Sequence, residues 1–172
     1  MLRPCAIVLV ASLSLISGCA SNSQTPSAGA NPDAAAAKGT LAYDRGVFSE
    51  MLEKHERISR SVKEIEGGVE TVTESDDPKV AALIVDHVEA MKHRVETGAR
   101  LRQWDPLYVA VFDAGTKIKL EIEKTGKGVK VRETSDDPAV TALIRQHAGV
   151  VSGFAERGSE ESAKAHPAPL VR

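Results

Sequence analysis

Cysteine is nearly absent: the 172 residues contain two, too few for a disulfide framework or a four-cysteine zinc site. Excess charge of one sign is also missing. Lys and Arg number 22 against 24 Asp and Glu, so no basic surplus exists to displace counterions from a nucleic acid backbone. No long hydrophobic run occurs. The longest uncharged apolar stretch, Ala6 to Ile16, spans about 16 Å as a helix, roughly half a bilayer core. There is no Gly-rich phosphate loop, no C-x-x-C-H haem attachment and no Gly-x-Ser-x-Gly elbow. His55-Glu56-Arg57-Ile58-Ser59 lacks the second histidine of a metalloprotease helix. These absences leave enzyme as the least supported class.

What is present begins with a targeting pattern. Met1-Leu2-Arg3 supplies positive charge, the apolar stretch follows, and Ile16-Ser17-Gly18-Cys19 closes it. That ending resembles the lipobox of bacterial lipoproteins. The resemblance implies a signal peptide over 1–18, lipidation (palmitate among the acyl chains) at Cys19, and, with Ala20-Ser21 following and no Asp, placement at the periplasmic face of the outer membrane. Cys5 leaves with the leader and Cys19 carries lipid, so the folded part has no thiol for chemistry. Ser21 to Gly39 has no large apolar residue and reads as a disordered tether, completing a segment 19–40 with a reach of about 25 Å. The segment 159–172, with Pro167 and Pro169 after a charged run, reads as a flexible tail. A single domain is expected over 41–158.

That domain is written twice. Shifted by 60, Gly68–Gly98 falls on Gly128–Gly158 without a gap and with thirteen identities in 31 pairs, where unrelated sequence would give about two. Upstream, Val47, Phe48, Met51, Leu52, Ile58 and Val62 fall on Leu107, Tyr108, Val111, Phe112, Ile118 and Ile122. Repeat 1 covers 44–98 and repeat 2 covers 104–158. Two copies suit a pseudo-twofold domain better than a solenoid.

Each copy reads helix, strand, helix. Apolar residues at 47, 48, 51, 52, 58, 62 and 65 have three-and-four spacing, which predicts one helix over about 44–66, ended by Gly67-Gly68. Val69–Thr73 and Val129–Glu133 predict short strands. Ser-Asp-Asp-Pro then opens a second helix in each copy, with Asp77 and Asp137 as caps. The expected fold is therefore mostly α in the α+β class: four helices around a short, two-stranded antiparallel ribbon.

The wording Ser-Asp-Asp-Pro-x-Val-x-x-Leu-Ile-x-x-His, carried twice with Trp104-Asp105-Pro106-Leu107 between copies, resembles a largely uncharacterised family of bacterial secreted and lipid-anchored proteins. The resemblance implies no activity. The family pattern places a histidine near Phe112-Asp113-Ala114, and this chain has none there.

Histidine is the residue most open to a functional reading. His87 and His147 are repeat equivalents on the apolar faces of their helices, and His55 lies between Met51 and Ile58. Met51–His55 and His87–Met91 are i,i+4 pairs. Imidazole with thioether and no thiolate favours copper or haem iron, so His55, His87, His147, Met51 and Met91 form a candidate metal or haem site, with His87 and His147 meeting near the pseudo-axis. The alternative is packing: neutral imidazoles bonded to backbone carbonyls. His166 falls in the tail. The reading of function is a lipid-anchored, periplasm-facing binding or structural module that uses a membrane and a periplasmic protein partner, or else a copper- or haem-binding protein.

Overall fold

The computed structural model describes residues 36–169. The expected leader, Cys19 and most of the expected tether lie outside the described residues.

Thr40 opens the first helix, α1 (Leu41–Glu53), its Oγ1 accepting from the Tyr43 amide at 3.2 Å. A 3-10 turn at His55–Arg57 leads into strand β1 (Ser59–Ile65), and Glu66-Gly67 turns the chain into β2 (Gly68–Glu74). Gly67 sits at φ +71°, as a tight hairpin turn requires. The long helix α2 (Pro78–Thr97) follows, with Pro78 in its first turn, and Gly98 at φ +70° ends it. Repeat 2 follows the same order: α3 (Pro106–Asp113), a 3-10 turn at Gly115–Lys117, β3 (Lys119–Lys124), β4 (Gly128–Thr134) and α4 (Pro138–Arg157). One turn of helix, α5 (Ser159–Ser162), is added beyond it.

The expectation of four helices around a two-stranded ribbon is corrected. Among the described residues there are five α-helices, and the sheet has four antiparallel strands in the order β1-β2-β4-β3. The error lies in the helix expected over 44–66, which ends at Glu53. Ile58, Val62 and Ile65 fit a helical stripe by spacing, yet they lie on or beside an edge strand. Most of β1 is exposed on both faces, so it has no alternating apolar pattern to mark it as a strand. The glycine signal was equally ambiguous, because a helix C-cap and a tight turn both need positive φ.

The strand registers repeat with the sequence offset. β1 pairs β2 from Ser59↔Glu74 to Ile65↔Gly68, and β3 pairs β4 from Lys119↔Thr134 at the same shift of 60. Between the copies, Val69 pairs Glu133 and Thr73 pairs Val129, which places the pseudo-twofold at the Thr71↔Val131 pair. Glycines bracket this central ladder. A Cβ on Gly68 would sit 1.8 Å from the Glu133 carbonyl oxygen, and one on Gly128 would sit 2.1 Å from that of Thr73. Their identity in the two copies has a steric cause.

The helices cover one face of the sheet. Val69, Thr71, Thr73, Val129 and Val131 are buried there, while Glu70, Arg132 and Glu121 form ion pairs on the other face. The packing crosses between repeats. Val69 of β2 packs with Val140, Ile144 and Ala148 of α4, whereas Val129 and Val131 of β4 pack with Val80 and Ile84 of α2. Neither copy buries its own inner strand, so the two fold as one body.

The stretch after Gly158, expected as a tail, is packed as far as it is described: Glu161 and His166 are buried, and the Leu107 amide donates to the His166 carbonyl at 3.0 Å.

Candidate functional site

The helices gather rings at the centre of their layer. Phe48 on α1 stacks on His87 of α2 at 5.3 Å, and its repeat equivalent Tyr108 meets His147 of α4 edge-on at 5.4 Å. Phe154 lies between the two pairs, 5.6 Å from Phe48 and 6.3 Å from Tyr108. Its counterpart in repeat 1 is Arg94, which forms a buried ion pair with Asp44, so the row departs from the twofold at this point.

Beneath the row lies a buried polar group. Glu133 Oε2 is 3.6 Å from His147 Nδ1, and Arg60 Nη1 donates to Thr73 Oγ1 at 2.6 Å. Burial works to raise the Glu133 carboxyl, but the adjacent His147 imidazole and the charge of Arg60 hold it below its ordinary value. Burial pushes the Tyr108 hydroxyl up and the Arg60 guanidinium down. The Nδ1 atoms of His87 and His147 and the Nε of Arg60 are enclosed without a hydrogen-bond partner in the protein.

Burial lowers the His87 pKa to about 4; Asp44 opposes this and the neighbouring His147 adds to it. The folded protein therefore keeps His87 neutral where the unfolded chain would protonate it. Stability is full above pH 6.5 and falls as the pH drops from there towards 4, by up to about 3 kcal/mol from this residue. Urea midpoints at pH 7 and pH 4.5 test this. The difference between them should shrink by most of that amount in His87→Gln; an unchanged difference rejects the assignment.

The three inward histidines do not form one ligand set, and no group of three His, Cys, Asp or Glu side chains able to hold a metal occurs among the described residues. His55 Nδ1 instead lies 3.2 Å from the Ala155 carbonyl oxygen, and Gly158 packs on its ring. Met51 packs with the Val80/Ile84 cluster, and Met91 is half-buried on α2. His55 and Met51 are thus engaged in a backbone contact and in core packing. His87 and His147 lie near enough for the charge of one to act on the other.

Asp77 and Asp137 cap α2 and α4, accepting from the Lys79 amide at 2.9 Å and the Ala139 amide at 3.0 Å. Each also meets a cation from the preceding turn, Arg57 at 2.6 Å and Lys117 at 2.8 Å. An open cleft of about 810 Å³ lies beside the Asp77 cap, lined by Arg57, Ser59, Glu74, Asp76 and Lys127 among others. Lys127 pairs with Asp76 across it at 2.6 Å.

Sequence reasoning missed a latch at the start of α3. Asp105 is fully buried and accepts from His166 Nδ1 at 2.7 Å, from Arg102 Nη2 at 3.1 Å and from the Leu107 amide at 3.2 Å. His166 Nε2 lies 3.2 Å from Glu161, whose carboxyl is held at about 2 by Arg157 and Lys164. Arg102, at φ +49°, also lies over the rings of Trp104 (4.4 Å), Tyr108 (5.0 Å) and Phe154 (5.4 Å). Trp104 is 56 % exposed on its outer side. Asp105 stands before Pro106 as Asp77 and Asp137 stand before their prolines, but its bond to His166, 61 residues away, carries no local signal.

Comparison with protein-family models, curated proteins and solved structures gave no match to this chain.

Proposed function

We propose that this protein is a lipid-anchored binding or structural module at the periplasmic face of the outer membrane, with no catalytic role. The observation that carries the reading is the lipobox-like Ile16-Ser17-Gly18-Cys19 after an uncharged apolar stretch, followed by a segment without large apolar residues that precedes α1 in the sequence. The interior adds support. Asp105, Glu133, Arg60 and the buried histidines are engaged in holding helices, strands and the C-terminal segment together, which is what a rigid recognition body requires. The repeats interlock through their long helices, so the outer sheet face and its edges are presented as one stiff surface.

Cys19 decides the anchoring half of this reading. Cys19→Ser should abolish incorporation of labelled palmitate and leave the chain as precursor of lower mobility. Normal acylation and membrane fractionation of that variant would reject it.

A further inference from the structure

The segment that follows α5 is held at one point. Of residues 163–169 only His166 is buried, and residues 165–169 have no regular secondary structure. That one residue is bonded on every side. Its amide donates to Asp105 Oδ1 at 3.2 Å, and its carbonyl accepts from the Leu107 amide at 3.0 Å. Its imidazole lies between Asp105 Oδ2, 2.7 Å from Nδ1, and Glu161 Oε1, 3.2 Å from Nε2, and meets the Phe154 ring edge-on. Gln146 donates to the next carbonyl, that of Pro167. A carboxylate only accepts, so the position suits a cationic side chain that donates on both flanks. These contacts belong to repeat 2 alone. At the shift of 60, Asp105, Gln146 and Phe154 fall on Arg45, Asp86 and Arg94, whereas the caps Asp77 and Asp137 and the core pair Ile84 and Ile144 are identical. Repeat 1 folds without the three residues, so the packing of a copy does not demand them.

We propose that the seam of α3 and α4 is a peptide-binding site, which takes an extended segment with a cationic side chain directly before proline. Residues 163–169 are its resident ligand and cover it until a partner peptide displaces them. Main-chain bonds to both sides of one residue, with its side chain in a pocket, are how a domain recognises an extended peptide. Release is local, because a single buried residue holds the segment to a frame that stays folded beneath it. The covalent link gives the resident segment an effective concentration of about a millimolar, which closes the site to weak competitors. The inference rests on the binding-module reading above and supplies the chemistry of its partner.

Trp104, the one tryptophan of the chain, reports on the site. Arg102 lies 4.4 Å from its ring and donates to the Ser162 and Lys164 carbonyls at 3.0 and 3.3 Å. In the full chain, His166→Ala should shift the Trp104 emission, and a synthetic peptide of residues 162–168 should restore it. That peptide should bind the variant about tenfold or more tightly than it binds the unsubstituted chain, whose site is filled. Peptides carrying His166→Ala or His166→Gln should bind about tenfold or more weakly, since neither is cationic. Hydrogen exchange in the unsubstituted chain needs no variant: amides 164–166 should exchange about tenfold or more faster than those inside α4. An emission that the peptide does not restore, equal binding by the His166→Gln peptide, or amides 164–166 that exchange only together with α4 would each overturn the proposal. A chain acylated at Cys19 that fails these tests would overturn it alone and leave the anchoring intact.

Discussion

Gly68→Ala should destabilise the domain by about 3 kcal/mol or more, whereas Gly46→Ala should stabilise it by about 0.5–1 kcal/mol. The two substitutions add the same methyl group in opposite surroundings. At Gly68 the new Cβ would sit 1.8 Å from the Glu133 carbonyl oxygen and 2.9 Å from the Thr134 Cα, both backbone atoms that no rotamer change can move. Relief requires β2 and β4 to separate at the end of the ladder that joins the two repeats. Gly46 lies inside α1, and a methyl group added there would meet nothing within 4 Å, so alanine only removes freedom from the unfolded chain. Urea unfolding of both variants gives the answer. A Gly68→Ala midpoint within about 1 kcal/mol of the parent would show that the inter-repeat ladder does not hold the domain together.

Asp105→Ala is expected to cost about 3–5 kcal/mol, because it leaves a buried guanidinium and imidazole without their shared partner. Asp105 is the point where Arg102, His166 and the first turn of α3 meet. Its loss should free the C-terminal segment first: amides around Glu161–His166 should exchange faster, and Trp104 emission should shift as Arg102 leaves its ring. Asp105→Asn, which keeps the cap but loses the charge, should fall between Ala and the parent. Burial works against the Asp105 carboxylate, yet its bonds to His166 and Arg102 hold its pKa below the ordinary range. The latch therefore contributes its full stability above about pH 4 and loses it as the pH falls below that. Unchanged exchange in the C-terminal segment of Asp105→Ala would show that the segment is held by other contacts.

The boundaries of α2 and α4 were legible because their signals are local. A capping Asp, a proline in the first turn and a closing glycine act within a few residues of each helix end, so Pro78, Pro138 and Gly98 stand where the wording placed them. The edge strands were not legible. β1 is exposed on most positions of both faces, and what makes it a strand is its hydrogen bonding to β2 rather than any pattern of its own. The histidines divide in the same way. Their inward placement follows from helical spacing, but whether His55 meets a metal or the Ala155 carbonyl depends on where α4 lies, which spacing does not encode.

By itself the sequence determined the duplication and its offset of 60, the starts of α2 and α4 and which of their residues face inward, since each rests on short-range periodicity and capping. The tertiary structure alone decided the rest. It exchanged the long helices between repeats, because each inner strand is covered by the other copy's helix. It also closed His166 onto Asp105, and it left Val62 exposed where Ile122 is covered. Those outcomes depend on contacts between residues tens of positions apart, and such contacts exist only once the two copies have packed.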